Sequence, residues 1–167
     1  LKPDCLVAIG GGSPIDCAKA ISVVAPGGSP VRDYAGKGNV SGDVLPLIAV
    51  PTTAGSGSEV TFSAVITDSR QHYKFSIKDP KIAPRVAIID PELTQSMPPA
   101  LTAATGMDAL THAIEAYTAL ASEPLADAAA LYAVEMISHH LKTAVSKGQD
   151  LEARSGMMLG SVLAAIA

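Results

Sequence analysis

A short apolar run leads directly into three glycines near the start of the chain. Residues 5–9, CLVAI, are followed by glycine at positions 10 to 12. An uninterrupted apolar run bounded by glycine is typical of a buried parallel strand. From Ile15 onward, apolar residues recur at helical spacing, at Ala18, Ile21 and Val24. The sequence therefore predicts a strand, a glycine turn and a helix.

Further apolar runs predict more strands, at residues 46–51, 60–68, 73–77 and 85–90. These runs are mostly continuous, whereas the strands of a sheet with one face in water would alternate apolar and polar residues. Residues 26–46 are rich in Gly, Pro, Ser and Asp and predict a loop, with a short helical turn at 31–34. This pattern favours an α/β fold with a largely parallel sheet.

The pattern changes after two consecutive prolines at 98 and 99. Alanine-rich helices are predicted at 99–103, 106–120, 124–146 and 150–167, and no strand is predicted there. We therefore divide the chain into an α/β portion, residues 1–97, and an all-helical portion, residues 98–167. The chain begins almost within a strand and stops within an apolar helical run, so we expect an internal fragment of a larger protein.

The composition excludes several classes of protein. Hydrophobic residues make up 48% of the chain and charged residues 17%, which allows a substantial core. The net charge is −4 and the sequence has no basic patch, so we expect no nucleic-acid partner. No apolar run is long enough to span a membrane and no signal peptide is recognisable, so we expect a cytoplasmic protein with no membrane partner.

Two glycine-rich turns carry hydroxyl groups. The first, GGGSPID at residues 10–16, joins the first strand to its helix, where exposed amides and the helix dipole favour a phosphate. The second, PTTAGSGSE at residues 51–59, contains four hydroxyl side chains, two from threonine and two from serine, interleaved with two glycines. Both turns follow strands and are expected at the same sheet edge, which favours a ribose or pyrophosphate site. The alternatives are a tight turn with positive φ and a solvated linker.

Asp108 and His112 are separated by one helical turn within an apolar segment. Residues at i and i+4 share one helix face, which suits two ligands of one Fe(II), Zn(II) or Mn(II) ion. The alternative is an acidic residue favoured by the helix dipole beside a core histidine. Two ligands are also fewer than a catalytic metal site normally has.

Four motifs together resemble the iron-containing (group III) alcohol dehydrogenases. They are GGGSPIDCAKAI, PTTAGSGSEVT, KDPKIAPRVAIIDPEL and MPPALTAATGMDALTHAIEAY, in the order of the family and over almost the whole chain. The resemblance implies a Rossmann-like dinucleotide-binding domain followed by an all-helical metal-binding domain, the dehydroquinate synthase-like architecture. Residues 1–97 would be the second half of the first domain, and residues 98–167 the first part of the second.

The resemblance also implies the chemistry and the residues that carry it. The activity would be hydride transfer between a small alcohol and NAD or NADP, giving an aldehyde or ketone, with Fe²⁺ as metal and Zn²⁺ as the alternative. Asp108 and His112 match the first two metal ligands, and the other two would lie beyond this chain. The positions that match the cofactor site are Gly11, Gly12, Ser13, Thr52, Thr53, Ser56, Thr61, Lys74 and Leu93.

Other readings of the sequence remain open. A glycerol dehydrogenase or a dehydroquinate synthase-like enzyme shares the glycine turn, although DALTHAIEAY fits those relatives poorly. A truncated chain that only binds a nucleotide is the non-enzymatic alternative, and we expect the 167 residues alone to be inactive or nearly so. The exposed apolar end favours a homo-oligomer, which we expect to be a dimer.

Overall fold

The computed structural model of the chain describes residues 3–69, 71–121 and 123–167. It forms two compact units. The first contains Leu1–Pro51 and Ser58–Ile88, and the second contains Thr52–Gly57 and Ile89–Ala167. The short segment 52–57 thus leaves the first unit and packs with the second.

The first unit is an α/β unit with one long helix. Its helix α1 is Gly12–Gly27, and 3-10 turns lie at Val31–Tyr34, Ser58–Val60 and Pro80–Ile82. Its strands in chain order are β1 Leu6–Gly10, β2 Gly36–Lys37, β3 Leu47–Pro51, β4 Ser63–Asp68, β5 Tyr73–Lys78 and β6 Val86–Ala87. The helix ends where Gly28 takes a left-handed conformation and its N–H donates to the carbonyl of Val24.

The strands of this unit form two sheets of three strands each. In the first sheet, β3 lies between β1 and β6, and both pairings are parallel. Leu6 is opposite Leu47 and Gly10 is opposite Pro51, so β1 and β3 end at the same edge. In the second sheet, β5 pairs in parallel with β2 and antiparallel with β4. Separate apolar clusters accompany the two sheets, one around Ile15 and one around Ile77.

Three strand predictions need correction. The prediction of one largely parallel sheet is wrong for β4 and β5, which pair antiparallel. The strand predicted at 60–68 starts later, because residues 58–60 form a 3-10 turn. The buried strand predicted at 85–90 contains only Val86 and Ala87, and Val86 is about half exposed. That strand lies at the edge of its sheet, where one neighbour and flanking prolines limit both pairing and burial.

The second unit is helical. After a 3-10 turn at Pro91–Thr94 it contains α2 Pro99–Thr118, α3 Pro124–Ser146 and α4 Leu151–Ile166. The aspartate before α4, Asp150, accepts a hydrogen bond from the N–H of Ala153 and so caps the helix. No helix in the described ranges is both long enough and apolar enough to cross a membrane. The predicted fold class, an α/β portion followed by a helical portion, is confirmed.

Small residues allow the helices of this unit to pack closely. The buried core contains many alanines, among them Ala109, Ala113 and Ala133, together with Ile137 and Met157. The two helices predicted at 99–103 and 106–120 are one helix, α2, which continues through Gly106. Glycine at this position is buried against Leu141 and Met157, so packing explains it and no helix break is needed.

Replacement of Gly156 by Ala should destabilise the helical unit. A β-carbon at this position on α4 would overlap the imidazole ring of His140 on α3. Overpacking costs about 1–3 kcal/mol, and the overlap with three ring atoms places this site in the upper part of that range. The cost there exceeds the gain of about 1 kcal/mol that alanine brings to a helix. We expect a lower free energy of unfolding in urea denaturation of the intact protein that carries this chain.

The matched control is Ser155→Ala on the same helix. Ser155 is exposed and its hydroxyl donates to the carbonyl of Leu151 in its own helix, so we expect a change within about 0.5 kcal/mol. A Gly156→Ala variant as stable as this control would contradict the packing that we describe.

Candidate functional site

The turn between β1 and α1 presents backbone amides at the edge of the parallel sheet. Gly10 has a φ of 153°, and a β-carbon there would lie 2.8 Å from Cγ of Pro14, so glycine is required. Gly11 is the N-cap of α1 and has no side chain to accept the first N–H groups of the helix. Gly12 begins the helix and Ser13 is exposed in its first turn. This arrangement suits a phosphate.

The second glycine-rich segment, residues 52–57, packs within the helical unit. A β-carbon on Gly55 would lie 2.7 Å from Cβ of Thr105 on α2. Gly57 has a φ of 59°, and a β-carbon there would overlap Ala165 on α4. Close contact with two helices therefore explains both glycines. Thr52, Thr53 and Ser56 are half-buried in this segment, and their contact with a cofactor stays a prediction.

A polar network that the sequence reasoning missed lies in the α/β unit. Lys19 on α1 is fully buried and donates to Oγ1 of Thr61 and to the carbonyl of Ser63. Asp16, one turn earlier, lies 3.9 Å from the Lys19 ammonium. Glu59 is also buried. The available signal was the Asp16–Lys19 pair at i and i+3 in an otherwise apolar helix.

Burial dominates the ionisation of this network. Burial lowers the pKa of Lys19 to about 8, although the charges of Asp16 and Glu59 oppose this change. Burial raises the pKa of Glu59, which a backbone hydrogen bond and the charge of Lys19 oppose. The charged forms are therefore held in a poorly solvated environment, where each hydrogen bond is stronger than in water.

Two further residues matched to the cofactor site lie elsewhere in the chain. Lys74 is exposed on β5, opposite Thr67 of β4. Leu93 belongs to the 3-10 turn at Pro91–Thr94 of the helical unit and is 36% exposed. The sheet of β5 is not the sheet that ends at Gly10 and Pro51. The cofactor roles of Lys74 and Leu93 therefore stay predictions.

Asp108 and His112 lie on the same face of α2. Oδ1 of Asp108 is 3.8 Å from Nε2 of His112, and both side chains are partly exposed. Ala109 and Ala113, which directly follow Asp108 and His112 in the sequence, are fully buried. Their burial fixes the rotation of α2 and so the direction in which the pair points. The bonds of a divalent first-row cation are about 2.1 Å long, so one ion can bridge donors as far apart as about 4 Å. The pair therefore fits a metal, and its ligand role stays a prediction.

A complete metal site is not present in the described part of the chain. No group of three or more His, Cys, Asp and Glu side chains comes close enough there to hold an ion. If Asp108 and His112 bind a metal, as predicted, they would supply two donors of a larger set.

Comparisons with known proteins agree with these motifs. The sequence profile of "Iron-containing alcohol dehydrogenase" matches residues 1–91 and that of "Fe-containing alcohol dehydrogenase family, C-terminal" matches residues 102–167. The chain belongs to the iron-containing alcohol dehydrogenase family. The resemblance deduced from the four sequence motifs is thus confirmed.

Individual members of the family are closely similar. The chain is 51% identical over 98% of its length to NAD-dependent methanol dehydrogenase from Bacillus methanolicus, of which it spans 43%. A crystal structure of 1,3-propanediol oxidoreductase matches 98% of this chain and 43% of its own, with a TM-score of 0.95 and 45% identity. Sulfoacetaldehyde reductase from Bifidobacterium kashiwanohense, in complex with NAD⁺, matches 98% of this chain and 44% of its own, with a TM-score of 0.91 and 40% identity. The chain thus spans less than half the length of these relatives.

The lowered pKa of Lys19 predicts a pH-dependent stability. From about pH 8 to 10.5, the folded protein has released the Lys19 proton while the unfolded chain still holds it. The unfolded state then binds more protons, so this residue makes the free energy of unfolding increase with pH, by at most about 1.4 kcal/mol per pH unit. Denaturant unfolding of the intact protein at pH 7 to 10 measures this slope. In Lys19→Arg the slope should be smaller, because arginine keeps its proton, and equal slopes would contradict the assigned pKa.

Proposed function

We propose that the intact protein carrying this chain transfers a hydride between a small alcohol and NAD, giving an aldehyde or ketone. The single observation that carries the proposal is the carboxylate–imidazole pair of Asp108 and His112, which shares one helix face at metal-bridging distance. Membership of the iron-containing alcohol dehydrogenase family supports it. The chain spans 43% of a matching relative, so the activity is proposed for the protein as a whole.

The dinucleotide would be held first by the turn after β1. The amides of Gly12 and Ser13 and the hydroxyl of Ser13 would bind the pyrophosphate, and Gly11 would let it approach the backbone. This role is supported by an N-cap without a side chain, which leaves the first-turn amides of α1 to a ligand. The remaining proposed cofactor residues are Thr52, Thr53, Ser56, Thr61, Lys74 and Leu93.

The metal would be held in part by Asp108 and His112, with Fe²⁺ as the proposed ion and Zn²⁺ as the alternative. When bound, such a cation supplies Lewis acidity toward the alcohol oxygen. The carboxylate of Asp108 contributes negative charge and His112 a neutral nitrogen donor. The buried alanines beside them keep both side chains on one face of α2, so the pair needs little rearrangement to bind.

The relatives support an alcohol or aldehyde substrate without selecting one. The names of three similar proteins refer to methanol, 1,3-propanediol and sulfoacetaldehyde. Two of them refer to NAD or NAD⁺, which is why we propose NAD before NADP. Assembly as a homodimer, a cytoplasmic location and the absence of nucleic-acid and membrane partners stay predictions. Dehydrogenase activity toward short primary alcohols and toward glycerol, each with NAD and NADP, would identify the substrate class.

Replacement of His112 by Ala should separate metal binding from dinucleotide binding. With one of two donors removed from α2, we expect metal content to fall at least tenfold and NADH formation to fall with it. The dissociation constant for NADH should change less than about threefold, because the proposed dinucleotide contacts are elsewhere in the chain. Elemental analysis of protein purified without oxygen, together with NADH titration, measures both quantities.

The matched control is His72→Ala. His72 is exposed in a turn of the α/β unit, so its loss should leave metal content and turnover unchanged. Full metal occupancy and normal turnover in His112→Ala would remove His112 from the ligand set. Failure of the unaltered protein to bind either dinucleotide would refute the proposed function.

A further inference from the structure

A pair of charged side chains on α1 holds the segment that leads into β4. The ammonium of Lys19 donates to Oγ1 of Thr61 at 3.1 Å and to the carbonyl oxygen of Ser63 at 2.7 Å. The carboxylate of Asp16 accepts from the N–H of Val65 at 2.9 Å and also from the hydroxyl of Ser58. Four groups between residues 58 and 65, two hydroxyls, one carbonyl and one amide, are therefore hydrogen-bonded to side chains on one face of α1.

Packing alone does not explain a lysine at position 19. Lys19 is fully buried, and an apolar side chain of similar length would fill the same volume without the loss of hydration. Buried charges are weak contributors to stability, and their best-documented benefit is to specify one arrangement of the groups around them. What distinguishes Lys19 from an apolar residue is therefore the direction of its hydrogen bonds.

The bond from Lys19 determines which hydrogen bonds Thr61 can make. An ammonium group only donates, so Oγ1 of Thr61 must accept from it and keeps its own hydrogen for another partner. Within the described residues, the acceptor recorded for that hydrogen is the carbonyl of Ser58, at 3.5 Å, the limit of a hydrogen bond. Thr61 is also partly exposed. Its hydroxyl is therefore set to donate to an acceptor outside the network.

We propose that Lys19 is a positioning residue that fixes the hydroxyl of Thr61 as a hydrogen-bond donor to an acceptor oxygen of the dinucleotide. This proposal rests on the proposed function, because the contact of Thr61 with the cofactor is part of it. It adds Lys19, a residue that does not touch the dinucleotide. It also assigns a direction to the hydrogen bond between Thr61 and the dinucleotide, in which Thr61 is the donor.

A double-mutant cycle in the intact protein tests the coupling between the two side chains. The variants are Lys19→Met, Thr61→Val and the double variant, and the measurement is the dissociation constant of NADH by fluorescence titration at pH 7. Each single change should weaken NADH binding by about tenfold, the value of one hydrogen bond to a charged or polar ligand group. The double variant should be no weaker than either single variant, because both remove the same bond.

Two controls separate this role from a structural one. Lys37→Met makes the same substitution at an exposed site of the same unit and should leave the dissociation constant unchanged. Lys19→Arg retains a buried cation that donates hydrogen bonds and should restore at least part of the affinity. The proposal would be overturned if the losses of NADH affinity in the two single variants multiply in the double variant, or if Lys19→Met binds NADH as tightly as the unaltered protein. In either case, NADH binding by the unaltered protein would still support the proposed function.

A second measurement does not require any Lys19 variant to fold. Above the Lys19 pKa of about 8, the neutral amine has a lone pair that can accept the hydrogen of Thr61 and so turn the hydroxyl away from the ligand. NADH binding by the unaltered protein should therefore weaken between pH 7 and 9, and binding by Thr61→Val should be flat. A flat profile in the unaltered protein would overturn the proposal, and absence of NADH binding at any pH would overturn the proposed function as well.

The titratable groups around Lys19 bear on the pH dependence expected for NADH binding. The groups whose charges act on it are Asp16 on its own helix and Glu59 on the 3-10 turn that packs against α1. The strands β1 and β3 carry no titratable side chain. The other elements packed against α1 carry further titratable groups. They are Arg32, Asp33 and Tyr34 on the turn at Val31–Tyr34, Asp68 on β4, and Lys81 on the turn at Pro80–Ile82. Arg32 pairs with Asp68, and Lys81 donates to the carbonyls of Val40 and Gly42.

Discussion

The parallel pairing of β1 with β3 is the constraint on which the α/β unit depends. It sets Gly10 opposite Pro51, so the turn into α1 and the exit from β3 start at one edge of the sheet. Ligands of open α/β sheets bind beyond the carboxyl ends of the strands, which is this edge. The same pairing determines where α1 begins, and therefore which of its side chains face the sheets. Asp16 and Lys19 reach their partners only because the helix starts at Gly12.

In the part of the chain that the structure describes, each unit also contains a buried cation that donates hydrogen bonds to residues outside its own helix. In the α/β unit, Lys19 donates to Thr61, which precedes β4, and to the carbonyl of Ser63, the first residue of β4. In the helical unit, Arg154 on α4 is buried and donates to the carbonyls of Met97 and Gly148 and to the hydroxyl of Thr102. Burial lowers the pKa of Arg154, but arginine remains charged at neutral pH. The start of α2, the helix that carries Asp108 and His112, is thereby tied to α4.

The sequence predicted those features that depend on neighbours along the chain. Periodicity located α1 and the three long helices, and the spacing of Asp108 and His112 was sufficient to place them on one face. The interactions of Lys19 could not be predicted, because its partners lie 42 and 44 residues away. The break predicted before Gly106 was wrong for a similar reason. A glycine inside a helical pattern can mark a helix break or a site of close packing. The proximity of Leu141 and Met157 to Gly106 shows that close packing is the explanation here.

The same ambiguity applies to the glycines of residues 51–59. The sequence analysis interpreted them as part of a loop that could surround a ribose or pyrophosphate. The closeness of α2 and α4 explains Gly55 and Gly57 without a ligand, and the cofactor role of the loop stays a prediction. Glycine content therefore does not distinguish a ligand loop from a packed one. Accessible hydrogen-bonding groups with a weak internal partner or none are better evidence, because a ligand can supply the missing bond. The N-cap of α1, which has no side chain at Gly11, and the hydroxyl of Thr61, whose acceptor lies at 3.5 Å, are therefore the features that best support the proposed dinucleotide site.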